Sequence, residues 1–305
     1  MLPEGLLAVV AAVTIFTVMF DLGLAIVPGE SRWVQQHPVL LAKALFVVLI
    51  AVPAVAWIVV RMFDLPHFVE VGIMLMAISP GAPVTLRRSI GAGGHRSFAP
   101  ALQITVAAIA IVSMPLTIAA LDEYYGGTAS IEPRHLARQV LLAQLLPLAL
   151  GMLVRRFAPV ASQRLAAKLT RLAGILLGIL VVLALVDFWP VVARSGAHVA
   201  LAIALVTAGA LAMGHLMGGP DPATRTATAI SSAMRNPGLA LVVAALNNAP
   251  PLVNATVLAY LVVSALTVLA YIAWRRRSAP PASEAATPAV LPGDAEEVEV
   301  VSRPR

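Results

Sequence analysis

Arg235, Asn236, Pro237 and Gly238 follow one another inside the apolar stretch ATAISSAMRNPGLALVVAAL (227–246). A guanidinium offers five N–H donors in a fixed plane. Proline and glycine interrupt a helix and release backbone groups that then need partners. Together with the hydroxyls of Ser231 and Ser232, these residues form a candidate binding constellation. A second lies in ISPGAPVTL (78–86), where Pro80, Gly81 and Pro83 break an apolar run and Thr85 follows. A third feature is Asp21, an acid within VMFDLGLAI. An acid in such a run reads as functional by default. It would titrate as a coupling proton site, pair with Arg235, or reach water from near an interface.

The elements that must hold these residues are membrane helices. Of 305 residues, 60% are apolar and only 12% charged. A soluble chain keeps roughly a quarter of its residues charged. Continuous Ala, Leu and Val runs of about 20 residues recur, which is the length of a helix across a bilayer. The alternation of a barrel strand is absent. The net charge of +6 does not indicate nucleic acid, because the basic residues stand in short loops beside apolar spans. There is no cysteine, hence no disulfide or thiolate metal site.

The pattern predicts an all-α integral membrane protein with nine spans, near 5–27, 37–62, 68–90, 96–121, 135–157, 168–190, 197–217, 223–247 and 250–274. Residues 1–274 form the membrane domain, and the Pro-, Ala- and acid-rich segment 275–305 reads as a disordered cytoplasmic tail. Loops on the side of the C-terminus hold 13 Lys and Arg residues against 4 opposite, which places the C-terminus in the cytoplasm and the N-terminus outside. The third and eighth spans carry the breaks and run in opposite directions. Two such helices are the sequence sign of an inverted-repeat transporter with a midplane site, although a single Pro kink is common in membrane helices. GILLG (174–178) offers a close-packing face of a kind frequent in apolar helices.

At these segments the chain resembles the bile acid:sodium symporter family, as a divergent bacterial-type member. MFDLGL (19–24) resembles that family's MFxMGL, SPGAPVTL its PGGxxSN, and AMRNPGLAL its GMQNSGLAL. The segment HPVLLAKALFVVLIAVPAVAW follows the first motif as the family's next helix does. The resemblance implies a panel domain (spans near 5–27, 135–157 and 168–190) rocking against a core (37–121 and 197–274). The two broken helices cross in that core and the substrate binds in the cleft. It also implies two sodium sites, but carrying the ligands over gives a different result. The positions fall on Thr85 and Leu86, Ala99 and Gln103, Val48, Ser231 and Arg235. A hard cation needs about six oxygens, preferably with a carboxylate. Thr85, Gln103 and Ser231 supply too few, so neither sodium site is expected to be intact and no metal is expected.

The resulting expectation is a secondary transporter of a small organic anion in the cytoplasmic (inner) membrane. Half-helix N-termini after Pro83 and Gly238 would receive the anion. Arg235 would act as a tethered cation, satisfying carbonyls released at Pro80 and Pro237, unless it simply points to cytoplasmic water. A receptor or scaffold that keeps the fold without transport is the rival reading. Neither a nucleophile with its base nor a nucleotide motif is present, so no enzyme and no cofactor are expected. The partners expected are the anion and the lipid bilayer, with homo-oligomerisation left open.

Overall fold

Prolines open helices at Pro38, Pro159, Pro222, Pro237 and Pro251. At a first turn the missing N–H has no intrahelical acceptor to lose. A computed structural model describes residues 6–25, 36–81, 84–124, 133–194 and 196–278. Pro83 and residues 279–305 lie outside the described residues.

The helices are α1 (Leu6–Ala25), α2 (Pro38–Phe63), α3 (His67–Ala77), α4 (Val84–Gly91), α5 (Phe98–Tyr124) and α6 (Arg134–Phe157). They continue with α7 (Pro159–Arg194), α8 (Gly196–Met217), α9 (Pro222–Ala233), α10 (Pro237–Leu246) and α11 (Pro251–Ser278). No strand occurs among the described residues. Six segments of these residues are long and apolar enough to cross a membrane, the broken Pro222–Leu246 among them. Two shorter apolar helices, Val9–Ala25 and His67–Ala77, accompany them. Large apolar side chains such as Ile50, Met62, Leu116, Leu153 and Leu266 remain exposed, as they do where lipid is the solvent.

Several boundaries differ from the sequence expectation, two of them at basic segments. Helix α7 begins at Pro159, well before 168, and α11 runs to Ser278 rather than ending at 274. The α11 extension is Arg275–Arg277 with Ser278 and that of α7 carries Arg164, and long cationic side chains carry a helix past the apolar slab by reaching into water.

Helices α2 and α6 share a local distortion. Each contains a π-helical segment, Val47–Ala51 and Leu141–Leu145, placed two residues before Pro53 and Pro147. In α2 the N–H of Val52 reaches back five residues to the carbonyl of Val47. The next donor in that register would be Pro53, which has none. The carbonyl of Val48 is therefore left without a helical partner.

Helices α1 and α6 touch backbone to backbone. A Cβ on Gly23 would lie 2.2 Å from the carbonyl oxygen of Leu148, and one on Gly151 would lie 2.2 Å from that of Phe20. Without water to squeeze out, membrane helices associate through such close approaches. The GILLG face does not serve this way, since nothing stands within 4 Å of a Cβ added at Gly174 or Gly178. Gly151→Leu is thus expected to cost at least the ~1–3 kcal/mol of an overpacked core. Gly178→Leu should stay within about 0.5 kcal/mol of the parent. Melting in detergent checks the pair, and equal effects at both positions would overturn the assignment of the contact.

Candidate functional site

The first break follows α3, whose last turn closes with Ser79 N–H on the carbonyl of Met76. The hydroxyl of Ser79 turns back onto the carbonyl of Leu75 at 2.6 Å. Gly81 then takes φ +82°, a left-handed conformation that glycine adopts without steric cost. The second break follows α9, where Met234 is extended at φ −83°, ψ 111°. Asn236 caps the new helix α10, its side-chain oxygen accepting from Leu239 N–H at 3.0 Å. The two breaks meet. The backbone N–H of Asn236 donates to the carbonyl of Ser79 at 2.9 Å, so each break satisfies part of the other.

Arg235 does not serve the carbonyls at Pro80 and Pro237, as the sequence led us to expect. Both of its terminal nitrogens donate to the carbonyl of Val48, at 3.0 and 3.1 Å. That is the carbonyl orphaned by Pro53. The breaks need the guanidinium less, because Asn236 and Ser79 already pair. Nor does Arg235 point to cytoplasmic water, being only 3% exposed. Among the described residues it has no acidic partner, and its Nε is buried without a hydrogen bond. A cation is thus fixed beside the junction.

Asp21, 4% exposed, pairs with Arg87 of α4 at 2.5 Å and not with Arg235. Thr170 of α7 donates to both its carboxylate oxygens, at 3.1 and 3.3 Å, and also contacts Arg87. Helices α1, α4 and α7 are joined there by one polar cluster. Helix α1 meets the second break through Ile15, and Asp21 stands six residues further along it, where Arg87 and Thr170 are its partners.

The remaining expected residues divide. Pro80, Gly81, Pro237 and Gly238 are buried at the two breaks. A Cβ on Gly238 would lie 2.6 Å from Ile15 of α1, so α1 covers the second break. Thr85 is buried with its hydroxyl unpaired. Gln103 is buried and brings its Nε2 within 3.4 Å of a Cβ position on Gly81. Ser231 is buried, while Ser232 spends its hydroxyl on the carbonyl of Thr228, 2.8 Å away on its own helix. Of the inherited sodium positions, Leu86 and Ala99 are buried and apolar, and Val48 offers only its backbone, already bonded to Arg235.

Gln144 escaped the sequence reading. It lies in the π-helical segment of α6, fully buried, with neither amide atom hydrogen-bonded. Its Nε2 stands 2.8 Å from the Cβ position of Gly81. An amide in the middle of LLAQLLPLAL, three residues before a proline, was the available signal. The groove of about 440 Å³ between α8 and α11, lined by His215, Tyr271 and Trp274, touches neither break.

Comparison with curated proteins gives no match. The sequence profile of the Sodium Bile acid symporter family matches residues 12–194. That range takes in Asp21, both π-helical segments, the first break, Gln103 and Gln144, and it ends before α9. Spanning more than half of the sequence, the match shows that this chain belongs to the Sodium Bile acid symporter family.

Proposed function

We propose that this multi-pass membrane protein is a secondary active transporter of a small organic anion across the cytoplasmic membrane. In this reading the chain crosses nine times, with the N-terminus outside and the C-terminus in the cytoplasm. Helices α1, α6 and α7 form a panel that rocks against α2–α5 and α8–α11. The observation that carries the reading is the bond from Arg235 to the carbonyl of Val48. Both are positions where the family resemblance puts a sodium-ligating side chain. Here the chain supplies a covalently attached cation and a backbone oxygen instead. The guanidinium keeps positive charge at the crossing of the breaks without an ion, and that charge favours an anionic substrate. The contact of Asn236 with Ser79 supports a crossing at which donors from both half-helices gather.

Topology is checked by single cysteines at Leu2 and Ala279, free of interference because the chain has no native thiol. They should label from opposite faces, Leu2 from outside. Labelling of both from one face would sink the nine-span reading.

Sodium dependence is the functional test. In liposomes, replacing sodium by potassium or choline at constant ionic strength should change initial anion uptake by less than about twofold, since side-chain oxygens are too few for a hard cation. A steep, saturable dependence on sodium would refute the tethered-cation reading. No uptake of any organic anion would favour the receptor reading.

The structure adds a double-mutant test. Arg235→Gln removes the cation and leaves the Val48 carbonyl without its partners. Pro53→Ala returns an N–H donor to the same helix. Pro53→Ala should therefore recover about 1 kcal/mol of stability in the Arg235→Gln background, as read from melting in detergent, without restoring uptake. Recovery of uptake would show that Arg235 only serves the carbonyl. Adding Ser231→Glu to Arg235→Gln restores the family's pattern on this helix and should regain uptake only when sodium is present.

A further inference from the structure

A fully buried amide with both atoms unpaired is costly, since each unsatisfied group forfeits its hydration for nothing in return. Gln144 is such a residue, and its surroundings define what it lacks. Its Nε2 and that of Gln103 converge on Gly81, at 2.8 and 3.4 Å from the same Cβ position. Any side chain at residue 81 would collide with the Gln144 amide, so glycine is what lets that amide approach the break. The hydroxyl of Thr85, also buried, has no partner. Helix α4 begins three residues beyond Gly81, and its first N–H groups have no intrahelical acceptor. The unpaired Gln144 amide, the Thr85 hydroxyl and these N–H groups are the donors left at the first break, and a carboxylate oxygen is the group that suits them.

The oxygen of Gln144 adds a second requirement. An amide presents its acceptor beside its donor in one plane, so it is complemented by a ligand whose donor sits next to its acceptor. A carboxylate with an O–H or N–H on the adjacent carbon has that arrangement. A bare carboxylate satisfies the nitrogen and leaves the oxygen orphaned.

We propose that Gln144 is a ligand of the transported anion, reaching the first break from α6, and that it selects carboxylates bearing a hydrogen-bond donor on the neighbouring carbon. This rests on the reading of the chain as an anion transporter. It adds a recognition element on the helix opposite the breaks, so that substrate is held by both sides of the cleft at once. The π-helical segment before Pro147 is what carries the amide into the break, since inserting a residue into the turn re-aims the side chain.

The test uses the full-length protein in detergent and three matched pairs of acids: lactate and propionate, 2-hydroxyisovalerate and isovalerate, mandelate and phenylacetate. Ligand-dependent melting gives an apparent affinity for each. At least one hydroxy acid should bind about tenfold or more tightly than its partner, the equivalent of ~1.4 kcal/mol. In Gln144→Leu that preference should vanish, while the melting temperature without ligand stays level or rises, because an apolar side chain replaces an unpaired amide. A melting temperature that falls with the preference intact would assign Gln144 to structure alone. If the parent binds both members of each pair alike and Gln144→Leu changes neither, the proposed selection is wrong and the anion reading stands. If none of the six acids shifts the parent, the site and the anion reading fall together.

Discussion

In hydrocarbon every backbone carbonyl must find a donor within the protein. Pro53 removes one such donor from α2, and the consequences organise the middle of this molecule. The helix answers first by loosening into a π turn, which leaves the carbonyl of Val48 exposed to its neighbours. Arg235 then answers from the other half of the chain with two hydrogen bonds to that oxygen. Burying a guanidinium at mid-membrane costs about 2.5–3.5 kcal/mol on insertion scales. Two charge-assisted bonds to a carbonyl that would otherwise go unpaired offset much of that. What remains is a positive charge with no acid beside it among the described residues, next to the place where the two broken helices meet.

Much of this was legible in the sequence. Both breaks and the order of helices follow from proline, glycine and apolar run lengths. The partners of the buried polar groups were not. A proline announces that some carbonyl loses its donor, but which one depends on whether the turn before it is α or π. That choice comes from packing. Asp21 illustrates the same limit, because Arg235 was the partner the sequence suggested and only the approach of α4 and α7 selects Arg87. Gln144 was overlooked for another reason. None of the family's sodium positions falls on α6, and a single amide in an apolar run makes no motif.

The glycine contact between α1 and α6 has a mechanical consequence. Helix α1 covers the second break through Ile15 on Gly238, and α6 covers the first through Gln144 on Gly81. Were these two helices independent, each break could be uncovered by itself, and an ion or water could slip past one while the other stayed shut. Gly23 and Gly151 bring the two backbones into direct contact, so there is no layer of side chains between them to yield. Sliding one helix against the other would drive backbone into backbone, so the pair is built to shift as one body. On the proposed rocking motion, two missing side chains tie the cover of one break to the cover of the other.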